Sequence, residues 1–173
     1  MDEQEYNRIV DDYIDVVYKM AVSYTKSYHD ANDIVQNVFM KMYQKSPTFH
    51  DEDHIRNWLI RVTINESKNL WNSFWRKNIA LENDYEVYEK VEGTAKDQDN
   101  MVLDAIMTLP KKYRVVIHLY YYEGYQANQI AEILKEKEST IRTRLVRARA
   151  MMKEQLKEEW LNDEQGNLYS CMG

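Results

Sequence analysis

Residues 139–151 read STIRTRLVRARAM. Whether this stretch is a helix with two unlike faces decides how the whole chain divides. Wound as a helix from Ser139, it places Ile141, Leu145, Ala148 and Met152 on one face, at spacings of four, three and four residues. Arg142, Thr143, Val146, Arg147 and Arg149 then point away from that face, and Arg144 completes a set of four arginines that stay charged at any accessible pH. The chain as a whole carries a formal net charge of −6. From Ser139 onward no acid stands at a helical spacing that would neutralise these cations before Glu154. A solvated helix face is the plain reading of a charge run. Uncompensated, planar, multi-donor cations are better suited to phosphate oxygens and guanine edges, so the face reads as built for a polyanion.

The segment before it, QANQIAEIL at 126–134, is short and amphipathic, with Ile130, Ala131 and Leu134 inward. Lys135–Glu138 joins the two helices with a connection of helix-turn-helix length, a unit that can present its second helix to a major groove. Further upstream, Pro110 can occupy the first turn of a helix and Gly124 can separate that helix from the next. Helices are expected over about 99–108, 111–122, 126–134 and 139–160.

The rest of the chain is also helical in pattern. Four glycines and two prolines leave few positions for tight turns of positive φ, which argues for an all-α chain. Over residues 6–28, Ile9, Tyr13, Val16, Val17, Met20, Ala21 and Tyr24 follow a 3.6-residue period. Asp30 is the expected N-cap of a second helix, with Asp33 in its first turn and Ala31, Ile34, Val35, Val38, Phe39 and Met42 inward, closed by Pro47. After the loop SPTFHDEDH a third helix is expected from about Ile55 to Arg76, with Trp58, Leu59, Val62, Leu70 and Phe74 toward the core.

Charge marks the boundary between the two halves. Residues 1–78 carry 10 basic and 12 acidic groups, 79–100 carry 2 and 7, and 101–161 carry 11 and 8. The acidic middle lacks an apolar period and contains Gly93, as an interdomain linker would. The expected architecture is therefore two small helical domains, 1–78 and 99–161, joined by an acidic linker over 79–98 and followed by a tail, 162–173. The C-terminal domain contains the helix-turn-helix. No apolar run is long enough for a membrane span, and the polar start MDEQEYNRIV is no signal peptide, so a cytoplasmic location is expected. The single cysteine, Cys171, cannot form an internal disulfide.

Three motifs, in order, resemble bacterial RNA polymerase sigma factors. LPKKYR at 109–114, QIAEIL at 129–134 and STIRTRLVRAR at 139–149 look like their promoter-recognising C-terminal domain. DANDIVQNVF at 30–39 looks like the polymerase-binding helix, and NWLIRVTIN at 57–65 like the helix that follows the minus-10 loop. With only these two domains, the chain is most similar to the extracytoplasmic-function (ECF) type. It departs from the family pattern at Asn32, at Lys135, where a turn glycine is usual, at Glu136, and at Lys137, where a serine often caps the recognition helix. A lysine cannot accept backbone donors, so Ser139 is the expected cap.

The resemblance implies roles for particular residues. Arg142, Thr143, Val146 and Arg147 would face minus-35 bases, with Arg144 and Arg149 on phosphates. Phe49 and Asn65 would form a pocket for an unstacked minus-10 base, with Arg61, Lys68 and Asn69 near the displaced strand; a satellite core is the alternative for Phe49. Asp33, Gln36 and Met40, outward at spacings of three and four, would contact the polymerase clamp, although Asp33 could equally stabilise its helix start. The linker would lie in the path of the nascent RNA. Trp58 reads as packing, whereas Trp71 and Trp75 suit stacking on bases or packing equally. The implied partners are core RNA polymerase, promoter DNA and an anti-sigma factor.

Other classes have less support. His50 and His54 flank Asp51 and Asp53, but in a loop without a cysteine partner, and no metal or other cofactor is expected. No glycine-rich phosphate loop or nucleophile–base pair suggests an enzyme. A free-standing helix-turn-helix regulator that binds DNA without polymerase is the main alternative; a protein-binding adaptor would leave the arginine face unexplained.

Overall fold

The computed structural model describes residues 1–77 and 98–160, with side chains from 1–73, 102 and 104–157. The acidic stretch 79–97, the tail, Cys171 and the side chains of Phe74 and Trp75 lie outside the described residues. The described residues hold seven α-helices, and the chain separates into two compact units, Met1–Lys90 and Val91–Gly173.

The first unit consists of α1 (Glu3–Thr25), α2 (Tyr28–Lys45) and α3 (Glu52–Lys77). Its core is almost wholly aliphatic: Ile9, Val17 and Ala21 of α1 meet Ala31, Ile34, Val38 and Met42 of α2 and Ile55 and Leu59 of α3. Trp58, Val62 and Leu70 pack at the edge of this cluster as expected. Its buried polar groups are hydroxyls that bond to their own helix. Thr63 donates to the Leu59 carbonyl at 2.7 Å and Ser67 to the Thr63 carbonyl at 2.8 Å. Such bonds need no partner from another helix, so the interior tolerates them at little cost.

The helix starts differ from the sequence expectation. Lys26 at φ 54° ends α1, and Ser27, not Asp30, caps α2: its extended backbone lets Oγ accept the Asp30 N–H at 3.2 Å. Both residues are competent caps, and Ser27 wins because the chain leaves α1 three residues before the expected end. Likewise α3 starts at Glu52 rather than Ile55, because Asp51 Oδ1 accepts the His54 N–H at 2.7 Å.

A polar clasp ties α1 to the start of α3. Tyr13 donates to Glu52 Oε2 at 2.7 Å, and Arg8 donates to Glu52 Oε1 at 2.9 Å. Burial, then the bond to this carboxylate, pushes the Tyr13 phenol up to about 12, while the donated bonds from Tyr13 and Arg8 hold Glu52 below the usual carboxylate range.

The second unit consists of α4 (Gln98–Thr108), α5 (Lys111–Ile117), a π-helical turn (His118–Tyr122), α6 (Ala127–Leu134) and α7 (Glu138–Trp160). The single helix expected over 111–122 therefore changes character at His118. There the Glu123 N–H reaches back five residues to the His118 carbonyl at 3.2 Å, and Gly124 at φ 72° turns the chain away. Ile141, Leu145, Ala148 and Met152 form the buried face of α7, against Ile106, Leu109, Val116, Ile117 and Ile130 among the core residues of this unit.

Unlike the first, this unit buries charge. Arg114 is 1% exposed and donates through Nη1 to the Leu109 carbonyl at 2.7 Å, tying α5 to the end of α4. His118 Nε2 lies 3.2 Å from Glu123 Oε1, with side chains only 3% and 4% exposed, and Tyr122 stacks on the His118 ring. No helix among the described residues is long and apolar enough to cross a membrane.

Candidate nucleic-acid interface

The turn between α6 and α7 sets the aim of the arginine helix. Lys135 takes a left-handed conformation, φ 57°, and the Glu136 N–H closes onto the Ala131 carbonyl at 2.9 Å. This is a Schellman closure, normally made by glycine because a Cβ strains the left-handed region. Lysine occupies the turn here with the same backbone. Helix α7 then begins at Glu138, with the Ile141 N–H on the Lys137 carbonyl, so Ser139 is not its cap but already its second residue.

That earlier start corrects the view of the arginines as uncompensated. Glu138 stands one turn before Arg142, which donates to its Oε1 through Nε at 2.9 Å and Nη2 at 2.6 Å. Arg144 donates to Glu136 in the turn at 3.0 Å. Arg149 donates through Nε to the Tyr121 hydroxyl at 2.7 Å, and its guanidinium carbon lies 5.3 Å from the centre of the Tyr120 ring. Arg147, beside the Tyr113 hydroxyl, draws that phenol below its ordinary value. Each of the four cations is thus held by a neighbour before any ligand arrives.

Exposure sorts the same residues. Arg142, Thr143, Val146 and Arg147 are exposed, Val146 at 62%, whereas Arg144 and Arg149 are half-buried against their partners. The first four form two adjacent rows, Arg142–Val146 and Thr143–Arg147, each spaced by one turn and directed away from the core face.

In the first unit, Arg61, Asn65 and Asn69 are exposed and spaced by four along α3, with Lys68 half-buried beside them. Phe49 is half-buried and meets Trp58 and His54 edge-on, ring centres 5.9 and 5.5 Å apart. Asn65 lies seven residues beyond Trp58, two turns or about 10 Å along the same helix face. Trp71 is also exposed. His50 and His54 stack on each other, and among the described residues no group of three or more His, Cys, Asp or Glu is placed to hold a metal ion.

On α2, Asp33, Gln36 and Met40 are all exposed, Met40 at 55%. Tyr43, three residues further at 69% exposure, extends the strip and was missed in the sequence, although the three-four-three spacing places it there. Asp33 also faces His29 one turn earlier, Oδ2 to Nδ1 at 3.7 Å.

Comparison with known proteins accounts for both units. Residues 9–77 match the family model of Sigma-70 region 2, and residues 99–152 match that of Sigma-70, region 4. The chain is 30% identical over 150 residues to RNA polymerase sigma factor SigV of Bacillus subtilis, covering 84% of this chain and 87% of that protein. It belongs to the ECF-type sigma factors of bacterial RNA polymerase. Over 169 residues it is 28% identical to the ECF RNA polymerase sigma-E factor of Haemophilus influenzae, covering 90% of this chain and 89% of that one. Its fold is shared with the sigma factor RpoE of Bartonella quintana, solved with the anti-sigma factor NepR, at a TM-score of 0.68, 22% identity and coverage of 89% and 98%. As a sigma factor the protein binds core RNA polymerase and directs promoter-specific initiation. The two matched regions, in order on one chain, disfavour the free-standing regulator.

Proposed function

We propose that this ECF sigma factor divides promoter recognition between α7 and α3. Arg142, Thr143, Val146 and Arg147 face the bases of the minus-35 duplex, and Arg144 and Arg149 hold its phosphates. The observation that carries this reading is the exposed double row on α7, with two arginine forks and an exposed valine set opposite the buried face Ile141–Leu145–Ala148–Met152. Arginine forks suit guanine O6 and N7, and a valine suits a thymine methyl. The half-buried pair, fixed by Glu136 and by the Tyr120–Tyr121 rings, suits contacts that position without specifying.

On α3 and the loop before it, Phe49, Arg61, Asn65, Lys68 and Asn69 take the displaced minus-10 strand. Support comes from the aligned exposure of Arg61, Asn65 and Asn69 and from the aromatic group at one end of that row. Extruding a base costs a few kcal/mol, which stacking and amide hydrogen bonds can offset. Asp33, Gln36 and Met40 contact core polymerase, and residues 79–98 tether the two domains. The protein acts in the cytoplasm, catalyses no reaction itself, and is held in check by an anti-sigma protein, as the relative from Bartonella quintana is bound by one.

Run-off transcription with core polymerase tests the division. Arg147→Ala should cost about 1–3 kcal/mol in promoter binding and relax preference at one position of the minus-35 element. An equal loss on every promoter sequence would move Arg147 to the backbone, and no stable complex with core polymerase would sink the reading.

A further inference from the structure

Glu138 has no role in the function above, yet it lies on the base-facing row. Glu138, Arg142 and Val146 follow one another at four-residue spacing, all exposed. Position 138 opens the helix, and the first residues of a groove-bound helix are those that reach base edges. A carboxylate there is unfavourable in itself, because it enters the strong negative field of duplex DNA.

Its geometry suggests what offsets that repulsion. Arg142 engages only Oε1 of Glu138, through both Nε and Nη2. Oε2 remains available as an acceptor, and the Arg142 Nη1 amino group together with the outer N–H of Nη2 remains available as a donor fork, both at the exposed helix surface. In the major groove guanine offers two acceptors to a donor fork, and cytosine offers its N4 amino group to a carboxylate. We infer that Glu138 is a specificity-determining residue that selects a cytosine next to the guanine read by Arg142, while penalising sites that lack that amino group. The inference rests on the minus-35 reading of α7 and deepens it. A device of this kind discriminates by repulsion as much as by attraction. A purely helix-stabilising role, as a first-turn acid paired one turn on, would leave base preference untouched.

The test is run-off transcription by core polymerase reconstituted with the full chain, on a promoter library randomised across the minus-35 element. Wild type should favour cytosine at one position by about tenfold, the equivalent of one good base contact. Glu138→Ala should flatten that position to under about twofold, preserve the other preferences and raise transcription from non-cognate members. Glu138→Gln should move the same position toward adenine, whose N6 and N7 suit an amide. Wild-type base profiles in both variants, a uniform loss at all positions, or a specific wild type without a cytosine-selective position would each overturn the inference. Failure of wild type to give any promoter-specific transcript would instead sink the underlying reading of α7.

Discussion

The two units solve the same packing problem with opposite materials. In the first, three helices close over aliphatic side chains, buried hydroxyls bond within their own helix, and the charged clasp Arg8–Glu52–Tyr13 stays at the rim. In the second, a guanidinium and an imidazole–carboxylate pair lie inside, around an irregular turn. An aliphatic core is forgiving, because apolar contacts are non-directional. A buried charge is acceptable only with its partner in place, so the second unit is specified more sharply and is more easily broken.

The sharpest way to break the contrast is at Arg114. Arg114→Ala should cost about 3–5 kcal/mol, because it empties the volume of a large buried side chain and takes a donor from the Leu109 carbonyl. Urea unfolding followed by circular dichroism should show part of the helix signal lost early and the remainder, from the first unit, at its original midpoint. Simultaneous loss of both would show that the units do not unfold separately.

Lys135 offers a gain in the same unit. Lys135→Gly relieves the left-handed strain, and against the extra freedom given to the unfolded chain should still stabilise by roughly 0.5–1 kcal/mol. A lower melting temperature would mean that the lysine side chain makes a contact worth more than the strain it causes.

The matching substitution in the first unit should be milder. Thr63→Val keeps the side-chain shape and removes only a hydroxyl bonded to an already paired carbonyl, so its effect should stay within about 0.5–1 kcal/mol. A loss near that of Arg114→Ala would erase the contrast between the interiors.

The rim clasp contributes across neutral pH and is lost only at the extremes. A phenol whose value is raised on folding adds stability that is fully present below its unfolded value of about 10 and is lost as pH rises toward about 12. Glu52, held low, contributes above its unfolded value and loses that contribution as pH falls through its lower folded one. Tyr13→Phe should therefore lower stability slightly at neutral pH, where the bond to Glu52 is in place, and flatten the fall in stability between about pH 10 and 12. An unaltered alkaline profile would remove Tyr13 from the clasp.

Much of this was legible in the sequence, for a definite reason. Apolar spacing reports directly on which helix face is buried, so the stripes of α2 and α7 and the outward rows of Asp33–Met40 and Arg142–Arg147 follow from periodicity alone. Helix starts were less legible, because Ser27 and Asp30 are equal as caps and only the path of the chain chooses between them. Starting α7 at Ser139 hid Glu138 and made the arginines look unpaired. The burial of Arg114 and of His118 with Glu123 left no local signal, since it depends on which backbone group or carboxylate the fold brings within reach. Tyr121 stands 28 residues from the Arg149 it holds, beyond any helical repeat.

The π-helical turn gives the aim of α7 a dependence on chain length. Between His118 and Tyr122 the backbone spends one residue more than a regular helix would. Removing that residue would restore an ordinary helix, yet everything beyond it would swing by about 100° relative to α5. Glu123 would leave His118, and Tyr121 would leave Arg149. A shortened chain would keep its helices and lose its aim, so the count of residues in this segment is constrained as tightly as any side chain in it.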